Sequence, residues 1–216
     1  MKYISHKELT KMTSRYRAQM INSLSGFKSA NLIGTCSKDK ANNLAIFSSV
    51  VHLGSSPALV GFITRPDTVE RHTLNNIKCS QRYTINQVNK SFWREAHQTS
   101  ARYDADECEF KKTGLTAEYI DNINAPFVKE SRLKYALALK EIVPIELNGT
   151  LLVIGEVTDI FCDEQAIKAD GYLDLESLNT VAITGLDSYH TGSRLSRVSY
   201  AKPGCALQDL SVDGEI

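Results

Sequence analysis

The stretch IVPIELNGTLLVIGEVTDIF, residues 142–161, constrains the fold more than any other part of the sequence. Asn148 and Gly149 separate two apolar runs that are rich in β-branched residues. An Asn-Gly pair in this position is the strongest short-range signal for a β-hairpin, because both residues accept the positive φ angles of a tight turn. The pattern therefore predicts two long antiparallel strands joined at this pair.

Four shorter segments earlier in the chain also have the composition of strands. They are SANLIGTCS, NNLAIFSSVV, ALVGFITR and QRYTINQV, residues 29–37, 42–51, 58–65 and 81–88. Each is apolar or β-branched, and turn-forming residues separate the first three. We predict that they are further strands of an antiparallel sheet.

Helices are predicted between and before these strands. Ser5 and Glu8 have the spacing of a capping box, and a helical pattern then continues to a stop at Gly26. Asp67 is a candidate N-cap for a short helix, and residues 91–100 form another helical segment. The fold class is therefore mainly β with peripheral helices.

The rest of the chain is predicted to be less regular. Residues 103–127 are polar and acidic, and we expect short helices and loops there with a solvated face. After the hairpin, we expect a short helix and irregular aromatic segments. We predict one domain over residues 1–203 and a C-terminal tail over residues 204–216.

Composition narrows the class of protein. A chain of 216 residues with 42% hydrophobic residues can bury a substantial core. Its 25 basic and 25 acidic residues give no net charge, so we expect neither nucleic acid nor a membrane surface as a partner. No apolar run approaches the roughly 20 residues that span a bilayer. The five cysteines are scattered and without a CxxC pair, so a cytoplasmic protein with free thiols is predicted.

Common catalytic motifs are absent from the sequence. It has no GxGxxG, no GxxxxGK[ST] and no GxSxG, which excludes a Rossmann turn, a P-loop and a nucleophile elbow. No two of the five histidines lie within four residues of each other, which excludes a metal-binding helix of the HExxH type. We predict no metal site and no side-chain nucleophile.

Hydroxyl, amide and guanidinium groups gather near the predicted strand ends. The residues are Ser48, Ser49, Arg65, Arg71, Thr73 and Asn86. Arginine forks and hydroxyl donors together can bind phosphate oxygens without a glycine-rich loop. Local strand-end hydroxyls and solvated charges are the alternative interpretation of the same residues.

The order of motifs along the chain resembles a known family. The motifs are NNLAIFSSVVHLGSSPALVGFITRP, VERHTLNNI, YTINQV, EAHQTSARY, APFVKES, LNGTLLVIGEV and the terminal GLDSYH and SYAKP. Together they resemble the flavin reductase-like, FMN-binding split-barrel family, which includes flavoredoxin-like proteins. The resemblance implies a six-stranded antiparallel split β-barrel with Greek-key connections, a homodimer, and FMN bound near the subunit interface.

The resemblance also implies a role for the paired serines. In this family the stretch that matches NLAIFSSV runs along the flavin. The implied contacts are Asn43, Phe47, Ser48, Ser49 and Val50.

A second group of residues is implied in phosphate binding. The RHT motif resembles the basic-x-Thr helix start that binds the FMN phosphate, which implies Arg71 and Thr73. Members of the family often have lysine at the position of Arg71. The resemblance further implies Arg65 as a second phosphate partner, and Asn86 as a residue that contacts the flavin or stabilises its loop.

Five further residues match positions that face the flavin or its substrate in the family. His97 and Ser100 are in EAHQTSARY, Lys129 is in APFVKES, and Tyr189 and His190 form an aromatic pair. Four of them have a structural alternative: helix capping or partial burial for His97, a surface lysine for Lys129, and packing of the tail for the aromatic pair. Trp93 and its aromatic neighbours line a nicotinamide site or pack the core.

The function implied is hydride transfer from NAD(P)H to flavin, with the chemistry on the cofactor and no catalytic side chain except a substrate-pocket role for His97. An FMN-containing electron-transfer module without nicotinamide activity is the alternative, and a binding protein for another phosphorylated ligand is a third. A downstream monooxygenase or other electron acceptor is the implied partner.

Overall fold

The chain folds into antiparallel strands with short helices at their periphery. The computed structural model describes residues 1–66, 68, 71–104 and 107–215. The helices are α1 (His6–Lys11), α2 (Ser14–Leu24), α3 (His72–Ser80), α4 (Trp93–Gln98) and α5 (Glu109–Thr113), with a 3₁₀ turn at Glu164–Ala166. The strands are β1 (Lys28–Ser29), β2 (Asn31–Cys36), β3 (Asn42–Phe47), β4 (Val51–Ser55), β5 (Ala58–Thr64), β6 (Arg82–Gln87), β7 (Ala117–Glu118), β8 (Phe127–Val128), β9 (Leu133–Ile145), β10 (Thr150–Cys162), β11 (Val181–Thr184), β12 (Ser188–Thr191), β13 (Arg197–Val198) and β14 (Asp209–Leu210).

The main sheet is built around the predicted hairpin. Strands β9 and β10 pair over their whole length and turn at Asn148-Gly149, where Gly149 has a φ of +72°. The strand order is β3-β2-β6-β9-β10-β5-β4, and every neighbouring pair is antiparallel. The mainly β architecture with peripheral helices that the sequence predicts is confirmed. Strands β1, β11 and β12 form a separate three-stranded sheet.

Both faces of the central strands are buried. Leu32 and Ile33 are adjacent in β2, so their side chains point to opposite faces of the sheet. Leu32 packs in a cluster with Phe92 and Phe110, whereas Ile33 packs in a second cluster with Phe62. The sheet therefore carries an apolar core on each side, and α4 and α5 contribute to the first.

The N-terminal helical segment differs from its prediction. The capping box forms, because the Ser5 hydroxyl accepts from the Glu8 amide and the Glu8 carboxylate accepts from the Ser5 amide. The single helix predicted up to Gly26 is wrong, since it is interrupted at Met12, whose ψ of 145° is extended. Thr13 then precedes α2 as its N-cap residue.

Two other element boundaries also differ. The strand predicted over residues 42–51 is split, since β3 ends at Phe47 and β4 begins at Val51. Helix α3 begins at His72, with Arg71 as its N-cap residue. The predicted N-cap Asp67 lies outside the described residues.

The C-terminal part has more regular structure than predicted. Strands β11 and β12 form a hairpin where irregular aromatic segments are expected. Further on, β13 pairs with β14, which lies inside the predicted tail. Among the described residues, no helix has the length and hydropathy needed to cross a membrane.

Candidate functional site

The corner between β3 and β4 is held by a serine side chain. The Ser49 hydroxyl donates to the Ile63 carbonyl over 2.9 Å and accepts from the Ile63 amide over 3.1 Å. Residue pairs of the β4–β5 ladder, such as Val51 with Gly61, place Ser49 opposite Ile63 in the continued register. The hydroxyl therefore makes the two bonds to β5 that a backbone partner would make at this position.

The neighbouring serine is in a different situation. Ser48 is half-buried, and its hydroxyl makes no hydrogen bond to any described residue. Phe47 and Val50, on either side of the two serines, pack against the apolar cluster around Phe62. Of the two hydroxyls, that of Ser48 is therefore the one with no structural partner in the described part of the chain.

Asn43 connects β3 to the start of α3. Its side-chain nitrogen donates to the hydroxyl of Thr73 over 2.9 Å and to that of Thr35 over 3.3 Å. Asn43 and Thr73 are both buried, at 7% and 8% exposure. Because Thr73 accepts from Asn43, the proton of its own hydroxyl can be donated to another group.

The N-terminus of α3 carries positive charge. Its N-cap residue Arg71 makes no side-chain capping bond, and the Arg71 Nε donates to the carbonyl of Pro66 over 3.2 Å. Pro66 directly follows the exposed Arg65, so the two arginines lie at the same corner. Backbone N–H groups at a helix start, together with guanidinium donors, favour the binding of a phosphate.

Asn86 lies in the interior of the main sheet. It is 0% exposed, its amide nitrogen donates to Leu32 and Thr84, and its carbonyl oxygen accepts from the Val128 amide over 2.9 Å. These contacts fix the segment that contains β8 against the sheet. Of the two roles implied for Asn86, the structure shows the contacts for stabilisation of a loop.

A second group of predicted residues meets where α4 packs on β12. His97 Nδ1 is 3.0 Å from the Tyr189 hydroxyl, and the two rings are perpendicular. The Trp93 ring lies 5.1 Å from that of Tyr189, and the Arg94 guanidinium stands 4.3 Å from the centre of Trp93. Burial raises the pKa of Tyr189 to about 12, so its hydroxyl keeps its proton at neutral pH.

Tyr189 and His190 do not act as one aromatic pair. They are consecutive in a strand and therefore point to opposite faces. The His190 ring packs edge-on against Phe27, and its Nε2 lies 3.0 Å from the Thr184 hydroxyl and 3.1 Å from that of Ser188. His190 thus belongs to the surface of the three-stranded sheet.

Two predicted residues lie on the protein surface. Ser100 is exposed just after α4, and its amide donates to the His97 carbonyl. Lys129 is exposed in the turn after β8, and its amide donates to the Thr116 carbonyl. Neither side chain has a hydrogen-bond partner among the described residues.

Strand β3 separates the two groups of predicted residues. Leu44 and Ile46 face the cluster that contains Trp93 and Tyr189, whereas Asn43 contacts α3 from the other face. Within the described residues no hydrogen bond or ring contact joins the two groups. The structure therefore brings Asn43, Thr73 and Arg71 together at one site, and His97 and Tyr189 at another.

The sequence prediction missed Glu109. It belongs to the acidic segment that was expected to be solvated, yet it is only 8% exposed, and its carboxylate accepts from the Leu44 amide over 3.1 Å. Burial raises the pKa of Glu109, and the bond from Leu44 opposes this shift in part. The adjacent Phe110, which is buried in the same core, was the available signal that this part of the segment faces inward.

Comparison with known proteins agrees with this architecture. Residues 24–177 match the model of the flavin reductase like domain. A crystal structure from Shewanella frigidimarina, assigned as a flavin reductase with a split barrel domain, is 53% identical and superposes with a TM-score of 0.90 over 93% of this chain and 100% of that one.

Two more distant structures share the fold alone. Nitrilotriacetate monooxygenase component B from Bacillus cereus is 18% identical, with a TM-score of 0.80 over 91% of this chain and 98% of that one. The NADH:FAD oxidoreductase SgcE6 from Streptomyces globisporus is 10% identical, with a TM-score of 0.67 over 90% of this chain and 99% of that one. Because the family model covers most of the sequence, this chain belongs to the flavin reductase-like domain family.

Proposed function

We propose that this protein is an oxidoreductase that binds FMN and transfers a hydride from NAD(P)H to the flavin. The observation that carries the proposal is the charged start of α3 beside the Ser48 corner, in a chain of the flavin reductase-like family. The names of the monooxygenase component and the NADH:FAD oxidoreductase with the same fold support this reaction class.

The residues at this corner fit a flavin phosphate. Arg71 makes one side-chain hydrogen bond within the described residues, to Pro66, and its other guanidinium N–H groups can donate to a phosphate, as can the hydroxyl proton of Thr73. Arg71, the N-cap residue of α3, makes no side-chain capping bond, so the first backbone N–H groups of the helix can also donate to the phosphate. Ser48 offers a hydroxyl to the ribityl chain or the ring.

In the reaction, the protein positions the flavin and stabilises the charge that develops on it. A bound flavin accepts the hydride and supplies the redox chemistry. Arg71 and Thr73 hold the phosphate end, which fixes the position of the ring relative to Ser48. Backbone donors of the segment 47–50 would stabilise negative charge on the reduced ring. No side-chain nucleophile takes part in these roles.

We further propose that the protein works as a homodimer and passes reduced flavin or electrons to an acceptor such as a monooxygenase. In this arrangement Lys129 would contact the flavin of the partner subunit. His97, oriented by the Tyr189 hydroxyl, would line the nicotinamide pocket.

The test is an anaerobic absorbance titration of the FMN-reconstituted protein with NADH and then NADPH. Loss of the flavin band near ~450 nm with either donor is expected and would identify the donor. A band that persists with both donors but disappears with dithionite would favour an electron-transfer module. No retention of FMN would contradict the proposed site.

A second experiment tests the phosphate contact directly. We expect Arg71→Gln to weaken FMN binding by about tenfold, the loss of roughly one charge-assisted hydrogen bond, without changing riboflavin affinity, since riboflavin has no phosphate. Arg82→Gln, at an exposed arginine of β6, is the matched control and should leave both affinities unchanged. Equal weakening of FMN and riboflavin by Arg71→Gln would contradict the assignment.

A further inference from the structure

A groove of about 570 Å³ lies beside the three-stranded sheet, away from the start of α3. Its wall includes Phe27, Lys28, Gln87, Glu176 and Arg194. A volume of this size is typical of pockets for small organic ligands. None of the residues implied in flavin binding lines it.

The charges that line the groove favour an anion. Lys28, Lys90 and Arg194 contribute three positive charges, and Glu176 contributes the negative charge. Arg194 Nη2 donates to both Glu176 and Asp174, each over 2.9 Å, so its charge is compensated by two carboxylates. The excess positive charge of the described lining is therefore that of Lys28 and Lys90.

Two of the cationic groups have unused hydrogen-bonding capacity. Lys90 is exposed, and its ammonium group has no partner among the described residues. Arg194 Nη1 is shielded from solvent and likewise has no hydrogen-bond acceptor in the described part of the chain. Because Arg194 Nη1 has no contact with solvent, a ligand in the groove does not reach it, and Lys90 is the exposed cation that an anion in the groove would bind.

The groove also exposes an aromatic surface. Phe27 is 71% exposed, although its ring makes a T-shaped contact with that of His190 at a centroid distance of 4.9 Å. A large exposed aromatic side chain next to Lys28 and Lys90, which form no ion pair among the described residues, is suited to a ligand that has both a flat ring and a phosphate.

The groove is close to the candidate flavin site. Gln87 pairs with Asn31, and Asn31 pairs with Phe47 on the next strand. Neighbouring strands are about 4.8 Å apart, so Gln87 in the groove wall is roughly 10 Å from Phe47. A ligand with one end in the groove can therefore reach the flavin corner with the other.

We propose that this groove binds a phosphorylated nucleoside, with the base on Phe27 and the phosphate at Lys90. In the reaction proposed above, this ligand is the adenosine end of the nicotinamide donor, and this part of the inference rests on that proposed function. A free nucleotide that regulates the protein has the same chemistry.

The experiment is a calorimetric titration of the full-length, FMN-reconstituted protein with adenosine 2′,5′-bisphosphate and with adenosine. We expect the bisphosphate to bind more tightly than adenosine. We also expect Lys90→Gln to lower the affinity for the bisphosphate by about tenfold, which corresponds to the loss of roughly one charge-assisted hydrogen bond. Lys111→Gln, at an exposed lysine of α5 outside the groove, should leave the affinity unchanged. Lys90 is exposed, so its replacement should not affect folding, which a thermal melt would verify.

Steady-state kinetics then distinguish the two sources of the nucleotide. If the donor occupies the groove, Lys90→Gln raises the KM for NADPH while kcat is unchanged. If a free nucleotide occupies it, the bisphosphate affinity falls but the KM values for NADH and NADPH do not change. Bisphosphate that binds no better than adenosine, or that binds Lys90→Gln as well as wild type, would overturn the proposal.

The result of this test can be distinguished from the result of the test for hydride transfer. Binding of the bisphosphate requires no hydride transfer, so it can be measured whether or not either donor reduces the flavin. A protein that reduces flavin but binds the bisphosphate without dependence on Lys90 would retain the proposed function and lose this site.

Discussion

Ser48 and Ser49 are the same residue type at adjacent positions, but their side chains have different environments. The Ser49 hydroxyl replaces a backbone partner for Ile63, whereas the Ser48 hydroxyl has no partner among the described residues. The family resemblance assigns both to the flavin. The hydrogen bonds indicate that Ser49 first supports the corner on which Ser48 is presented.

This difference predicts different effects of two matched substitutions. Ser49→Ala removes both bonds to Ile63 and leaves the backbone amide and carbonyl of Ile63 without a partner. We therefore expect the free energy of unfolding to fall by about 1–3 kcal/mol. Ser48→Ala should change it by less than about 0.5 kcal/mol. Urea unfolding of both variants measures the effect, and equal losses would show that the Ser49 bonds do not stabilise the corner.

At the scale of single residues, sequence reasoning succeeded where the signal is local. The Ser5–Glu8 capping box and the Asn148-Gly149 turn each depend on residues a few positions apart, and both form as predicted. The bond from Ser49 to Ile63 joins residues 14 positions apart, and it depends on how β4 folds back on β5. A pattern within one segment cannot specify such a contact.

Among the elements, β3 has the most varied surroundings. It is at one edge of the main sheet, with α3 attached through Asn43 and α5 attached through Glu109. Its position was predictable from its apolar residues, but the strand predicted over residues 42–51 is longer than β3, which ends at Phe47. The attachment of α5 was not predictable, because the acidic composition of residues 103–127 indicated a solvated face and concealed the inward-facing Glu109.

The contact between α5 and β3 should make stability depend on pH. Burial raises the pKa of Glu109, so the folded protein holds this proton more tightly than the unfolded chain does. The contribution of Glu109 is therefore most favourable at a pH below its ordinary value of 4.5 and is lost as the pH rises through the folded pKa. Glu109→Gln keeps an acceptor for Leu44 but does not titrate.

We therefore expect Glu109→Gln to be more stable than wild type at neutral pH, with a difference that grows as the pH rises from 4. Urea unfolding at several pH values between about 4 and 7 measures this difference. Glu146→Gln, at an exposed glutamate in the hairpin turn, is the control and should not reproduce the trend. A difference that is constant with pH would contradict the assigned cause.

For the whole molecule, the strand order follows from interactions between distant parts of the chain. Strands β3 and β4 are consecutive in sequence but occupy opposite edges of the main sheet. Composition predicted six of the seven strands of the main sheet but not β4 as a separate strand, and the family resemblance implied the split barrel. The order itself could not be worked out from periodicity, because the alternating pattern of a strand does not identify its neighbour.

The segment after residue 203 is attached to the surface of the domain by polar contacts. It lies well beyond the main sheet, whose last strand ends at Cys162. Strand β14 pairs with β13, Arg197 donates to the Val212 carbonyl over 2.7 Å, and an ion pair of 3.6 Å joins Lys168 to Asp213.

We expect removal of residues 204–216 to lower the free energy of unfolding by only about 1 kcal/mol, because exposed ion pairs and hydrogen bonds contribute little. Flavin affinity should change by less than about twofold, since that is within the effect of a surface change. Urea unfolding and FMN titration of the shortened chain measure both quantities, with the full-length chain as the reference. Loss of a cooperative transition would show instead that the C-terminal hairpin is required for the domain to fold.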